Sequence, residues 1–119
     1  MGQKIIRTAD APQAIGPYSQ AVEAGGFVFV SGQIPIDPKT GNIVQADIKA
    51  QARTVMDNAK AILASAGCVM AKVVKVTIYL TDMSNFQKIV ELRGRWFTPP
   101  WPADTIVEVS ALALPELQI

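Results

Sequence analysis

The 119-residue chain contains no histidine. That removes His-activated nucleophiles, imidazole metal ligands and the usual proton shuttle near neutral pH. A single cysteine, Cys68, rules out an internal disulfide and a thiolate zinc cluster, and fits a reducing compartment. Neither G-x-x-x-x-G-K-[ST] nor G-x-G-x-x-G occurs, so the common backbone cradles for nucleotide phosphates are missing. Neither sign of charge dominates: 11 Lys and Arg stand against 10 Asp and Glu, a net charge of +1, with no basic block. Nucleic acid is therefore not expected as a partner, because phosphate neutralisation has little to work with. No apolar run approaches the roughly 20 residues of a membrane span. The opening MGQKIIRTADAP has no hydrophobic signal region, so no membrane partner and a cytoplasmic location are expected. Chemistry in this chain falls to backbone groups, hydroxyls, carboxylates, Arg or Lys, with no metal site expected.

What is present suits one folded domain over residues 1–119, with half the residues hydrophobic and 18% charged. KIIRT (Lys4–Thr8) reads as a short strand. YSQAVEAG (Tyr18–Gly25) and FVFVSGQI (Phe27–Ile34) flank Gly25-Gly26 and read as a hairpin, which explains that glycine pair better than a phosphate loop does. PIDPKTGN (Pro35–Asn42) is a surface loop. A helix follows an Asp47 cap and stops at Gly67, with Ile48, Ala52, Val55, Met56, Ala59, Ile62, Leu63 and Ala66 as its apolar stripe. VVKVTIYL (Val73–Leu80) alternates as a strand, with Val74, Val76, Ile78 and Leu80 on one face and Lys75, Thr77 and Tyr79 on the other. A second helix is expected from a Ser84 cap to about Phe97, with Phe86, Ile89, Val90 and Trp96 inward. TIVEVSAL (Thr105–Leu112) is a strand, and the closing LQI opens another that the sequence cuts short.

The order β-β-β-α-β-α-β implies an α+β fold, with a mixed sheet and both helices on one face. The other face would carry Phe27, Phe29, Tyr79 and Ile106, and burying that apolar surface calls for a homo-oligomer.

Four places draw attention as chemistry. Tyr18 follows Gly16-Pro17 and reads either as a half-buried turn residue or as a phenol pointing into a cleft. Ser31, Gly32 and Gln33 end a strand at a sharp exit, where Gly32 suggests a bulge or a close approach of backbone. Glu108 lies in an apolar strand and reads best as part of an exposed face. Asp104 is a lone carboxylate where the loop WFTPPWPA meets that strand.

APQAIGPYSQAV, FVFVSGQIPIDPKTG, the helix DIKAQARTVMDNAKAILASAG, VVKVTIYLTDM and the final PAxxxVEV strand together resemble the RidA family of reactive-intermediate (enamine/imine) deaminases. Proteins of this family are also described as translation-inhibitor endoribonucleases. The resemblance spans nearly the whole chain in order. It implies a chorismate-mutase-like fold and a homotrimer whose sheets surround a central β-barrel, with ligand clefts between subunits. The implied reaction is cofactor-free hydrolysis of 2-imino acids (2-iminobutanoate, 2-iminopropanoate) to 2-oxo acids and ammonia. On the family's pattern Tyr18 lines the cleft, the Gly32 carbonyl helps to hold the attacking water, and Ser31 and Gln33 complete SGQ.

This sequence departs from the pattern elsewhere. The arginine of P-A-R-S, which forks onto the substrate carboxylate, falls on Asp104. The position whose amide assists is Ile106. An asparagine of the second helix falls on Val90, and the water-holding glutamate falls just past Ile119. If Asp104 is set against the substrate carboxylate, the resemblance implies a deaminase that is impaired or altered in substrate; read as a turn residue or cap, Asp104 instead faces solvent. The other class left open is a non-catalytic trimeric small-molecule-binding or regulatory protein. RNA cleavage is disfavoured by the missing histidine and basic patch.

Overall fold

The computed structural model describes residues 2–119. Three short strands, β1 (Lys4–Ile6), β2 (Ala21–Ala24) and β3 (Phe27–Val30), form an antiparallel sheet in the order β1-β2-β3. The β2–β3 hairpin turns at Gly25 and Gly26, with φ of 59° and 83°. Two consecutive positive φ values define the turn whose twist matches the flanking strands, and glycine adopts them without a side-chain clash. The expected strands Lys4–Thr8, Tyr18–Gly25 and Phe27–Ile34 are thus shorter than their apolar runs. Tyr18–Gln20 lie outside the ladder, and Thr8 leaves it because the Gln20 side chain takes over its backbone. Its Oε1 accepts from Thr8 N at 2.7 Å, and its Nε2 donates to the carbonyls of Thr8 (3.1 Å) and Pro12 (2.7 Å).

Helix α1 (Ile48–Ser65) starts as its sequence signals: Asp47 Oδ1 accepts from Ala50 N at 2.9 Å. Gly67 stands in the left-handed region with φ 77° just beyond the last turn. Strand β4 (Lys75–Leu80) then runs parallel to β5 (Ala103–Glu108), joined by the crossover helix α2 (Phe86–Trp96). Val73 and Val74 lie outside β4, and Val74 is exposed, which corrects its expected inward placement. Helix α2 is preceded by a 3-10 turn, Met83–Asn85, capped by Asp82 rather than Ser84: Asp82 Oδ1 accepts from Ser84 N at 2.9 Å. That backbone bond holds the exposed Asp82 carboxyl below its usual pKa. The cap therefore acts above the ordinary carboxylate pKa and weakens as pH falls through the lowered one. The inward side of α2 is Ile89 and Leu92, with Trp96 packed beside them, while Phe86 is exposed. Strand β5 starts two residues earlier than expected and ends at Glu108, and the closing LQI is not a strand.

One expectation of architecture needs correction. The strands form two sheets with no ladder between them, a three-stranded antiparallel one and a two-stranded parallel one. Helix α1 serves both. Ile48 and Ala52 pack with Ile78, Leu80, Ile89 and Leu92; Ile62 packs with Ile6, Ala11 and Ala21. Opposite these cores, Ile5, Phe27, Phe29 and Tyr79 are exposed. Ile106 is not among them: it packs on the α1–β4–α2 core.

Buried Gln51 ties the C-terminal segment to α1. Its Nε2 donates to the carbonyls of Val44 (3.0 Å) and Glu116 (2.9 Å), and its Oε1 accepts from Gln118 N (2.8 Å). Thr81 N in turn donates to Gln118 O at 3.2 Å. Gln51→Met keeps the volume and strands three backbone partners, so urea unfolding is expected to show a loss of about 2–3 kcal/mol. A loss under about 0.5 kcal/mol, the size of an ordinary surface change, would show that this tether carries little.

Candidate functional site

The residues singled out in the sequence gather in two groups, one on each sheet. The first surrounds the exit of β3. Gly16-Pro17 turns the chain tightly, with Tyr18 N donating to Gly16 O at 2.8 Å. Ser31 then pins this segment to the strand: its Oγ donates to Ser19 O at 2.5 Å, and its N donates to Gln20 O at 2.9 Å. Gln33 Nε2 folds back onto the carbonyls of Ser31 (3.0 Å) and Gly32 (3.4 Å). Gly32 has no left-handed φ, and nothing lies within 4 Å of where its Cβ would stand. A close approach within the chain is therefore not what calls for glycine there.

Tyr18 is 52% exposed and lines an open cavity of about 300 Å³ together with Arg7, Gln13, Gly16, Ser19 and Gln20. Its hydroxyl accepts one long bond from Ile15 N, 3.5 Å. The phenol donor is thus free for a ligand.

The second group lies on β5. In register, Asp104, Ile106 and Glu108 stand beside Val76, Ile78 and Leu80, and so face the helices. Ile106 enters the core there, and Glu108 Oε1 accepts from Met83 N at 2.7 Å. Asp104 meets α2: its Oδ2 accepts from Arg93 Nη1, within an ion pair whose side chains are only 17% and 27% exposed. Asp104 Oδ1 is buried without a hydrogen-bond partner. The carboxylate that the sequence set against a substrate is therefore matched by a cation eleven residues earlier. Ala103 N donates to Val74 O (3.0 Å) and Val109 N to Leu80 O (2.8 Å). In a parallel ladder alternate residues bond inward, so the amides of Asp104 and Ile106 point away from β4 along the open edge.

Among the described residues no hydrogen bond or ion pair joins the two groups, and no cluster of side chains has the makings of a metal site. Arg7, Gln20 and the Arg93–Asp104 pair were missed in the sequence. Gln20 stood inside the recognised GPYSQ run, but a buried glutamine has no periodic signature. Arg7 directly follows an apolar strand end, a place where either side could face the cavity.

A helix-backed α+β fold that brings G-P-Y beside S-G-Q defines a class of small α+β proteins. Comparison with known proteins gives that class its family. The profile described as Endoribonuclease L-PSP matches residues 8–119. A RutC family protein of Pyrococcus horikoshii is 54% identical over 110 residues, covering 92% of this chain and 87% of the relative. The crystal structure of RidA from an Antarctic Psychrobacter superimposes with a TM-score of 0.88 at 40% identity, covering 98% of this chain and 92% of the other. E. coli TdcF with bound serine gives a TM-score of 0.88 at 40% identity, covering 97% and 91%. The chain belongs to the RidA (L-PSP) family.

The Arg93–Asp104 pair lies between an exposed ion pair, worth about 0–1 kcal/mol, and a buried one, whose breaking costs about 3–5 kcal/mol. A double-mutant cycle of Arg93→Met and Asp104→Asn, followed by urea unfolding, is expected to give a coupling of about 1–2 kcal/mol that shrinks in high salt. Additive single effects would mean that the two side chains do not act as a pair.

Proposed function

We propose that this protein is a deaminase of 2-imino acids, such as 2-iminobutanoate and 2-iminopropanoate, acting in the cytoplasm as a single-domain homotrimer without a cofactor. Family membership carries the reading. The free Tyr18 hydroxyl over a cavity of about 300 Å³ supports it, because that size suits a short-chain acid. Serine bound to E. coli TdcF supports a ligand of amino-acid size. The exposed face bearing Ile5, Phe27, Phe29 and Tyr79 supports assembly around a central barrel, since burying such a patch stabilises an oligomer.

In the proposed reaction, water adds to C2 of the imine while the imine nitrogen takes up a proton. The resulting carbinolamine expels ammonia and leaves the 2-oxo acid. The Gly32 carbonyl accepts a hydrogen bond from the attacking water, and Ser31 and Gln33 hold that carbonyl in place. The Tyr18 hydroxyl donates to the substrate. The Ile106 amide, free on the edge of β5, is a further donor in a cleft completed by a second subunit, and Asp104 lies beside it.

A lone carboxylate about 4 Å from a substrate carboxylate would oppose binding by roughly 4 kcal/mol at an effective dielectric near 20. The bound Arg93 guanidinium cancels most of that repulsion and leaves no net attraction on β5. Weak turnover is expected rather than none. The same pair also favours a second reading, a binding or regulatory protein that holds small acids without hydrolysing them.

Ammonia release from freshly generated 2-iminobutanoate separates the two. The deaminase reading expects release faster than spontaneous hydrolysis, and at least tenfold slower, by roughly 1.4 kcal/mol or more of barrier, after Tyr18→Phe if the hydroxyl acts in the chemical step. Ligand binding with no acceleration would leave the binding-protein reading. Sedimentation equilibrium is expected to give three times the 12.8 kDa chain mass; a stable monomer at micromolar concentration would remove the between-subunit cleft.

A further inference from the structure

We propose that Arg7, on the same chain as Tyr18, anchors the carboxylate of a short-chain 2-oxo or 2-imino acid in the Tyr18 cavity, in place of an arginine on β5. The nature of the ligand's other end rests on the deaminase reading; the anion site itself does not.

Arg7 is mounted rigidly for an exposed residue. On one side Ile6 is buried at 4% exposure. On the other, the amide and carbonyl of Thr8 are both held by the Gln20 side chain. The backbone on either side is therefore held, and Arg7 lines the cavity together with Tyr18, Gly16 and Ser19.

The donors divide clearly. Arg93 is bound to Asp104, and Arg95 pairs with Glu91 along α2. Arg7 makes no ion pair or side-chain hydrogen bond among the described residues. Its planar fork of N–H groups is free to take a carboxylate with two parallel bonds. No acidic side chain lines the cavity. The amides of Gln13 and Gln20 already donate to backbone carbonyls. That leaves Arg7 and the hydroxyls of Tyr18 and Ser19 as the free side-chain donors among the described residues, a combination that fits a small planar monoanion.

The test is calorimetric titration of the assembled protein with 2-oxobutanoate, comparing the natural chain with Arg7→Ala, Arg7→Lys and the surface control Arg53→Ala. Arg7→Ala is expected to weaken binding by about tenfold or more. Arg7→Lys restores part of the loss, because the charge returns without the fork. Arg53→Ala changes the affinity by less than about threefold. Butan-2-one, which lacks the carboxylate, is expected not to bind.

The proposal is overturned if Arg7→Ala stays within about twofold of the natural chain, or if 2-oxobutanoate fails to bind at about 10 mM. Ammonia release read on the same variants keeps the two claims apart. Arg7-dependent binding without turnover removes the deaminase and leaves the anion site. Turnover with a KM indifferent to Arg7 removes the anion site and leaves the deaminase.

Discussion

The fold depends on one helix being shared between two sheets. At 1.5 Å per residue the 18 residues of α1 span about 27 Å. The N-terminal half of its buried stripe closes the core of β4, β5 and α2, and its C-terminal half closes the core under β1–β3. The sheets share no ladder, so their relative position is set by side-chain packing on α1. Tyr18 and Asp104 consequently belong to separate structural halves.

Much of this was legible because the signals were local. Asp47 and Gly67 mark the ends of α1, Gly25-Gly26 marks the hairpin, and the alternation in β4 gives Ile78 and Leu80 the inner face. Strand ends were less legible. Tyr18–Gln20 and Val109–Leu112 have the composition of strands, but only single backbone bonds, Ser31 N to Gln20 O and Val109 N to Leu80 O, continue the ladders there. The buried glutamines Gln20 and Gln51 work over sequence distances of up to 67 residues, and no periodic pattern announces them. The motif residues Tyr18, Ser31, Gly32 and Gln33 could be found through the family resemblance, whereas their mutual bonds could not.

Electrostatics changed the reading of the site most. In the sequence Asp104 stands as an isolated acid at a position where the family pattern has a base. In the fold it has a cation of its own, Arg93, contributed by the crossover helix that β5 follows. The position is therefore close to neutral, and β5 offers only edge amides. An unpaired arginine, Arg7, lines the Tyr18 cavity instead, where an ordered strand end and a buried glutamine hold the chain.

The central claim is that anion recognition has moved from β5 to the Tyr18 cavity. A crystal structure of the protein with 2-oxobutanoate tests it most directly. The account predicts the ligand carboxylate on the Arg7 guanidinium and within hydrogen-bond reach of the Tyr18 hydroxyl, with Arg93 still paired to Asp104. A carboxylate seated on Arg93, with Asp104 turned away and Arg7 in solvent, would contradict it.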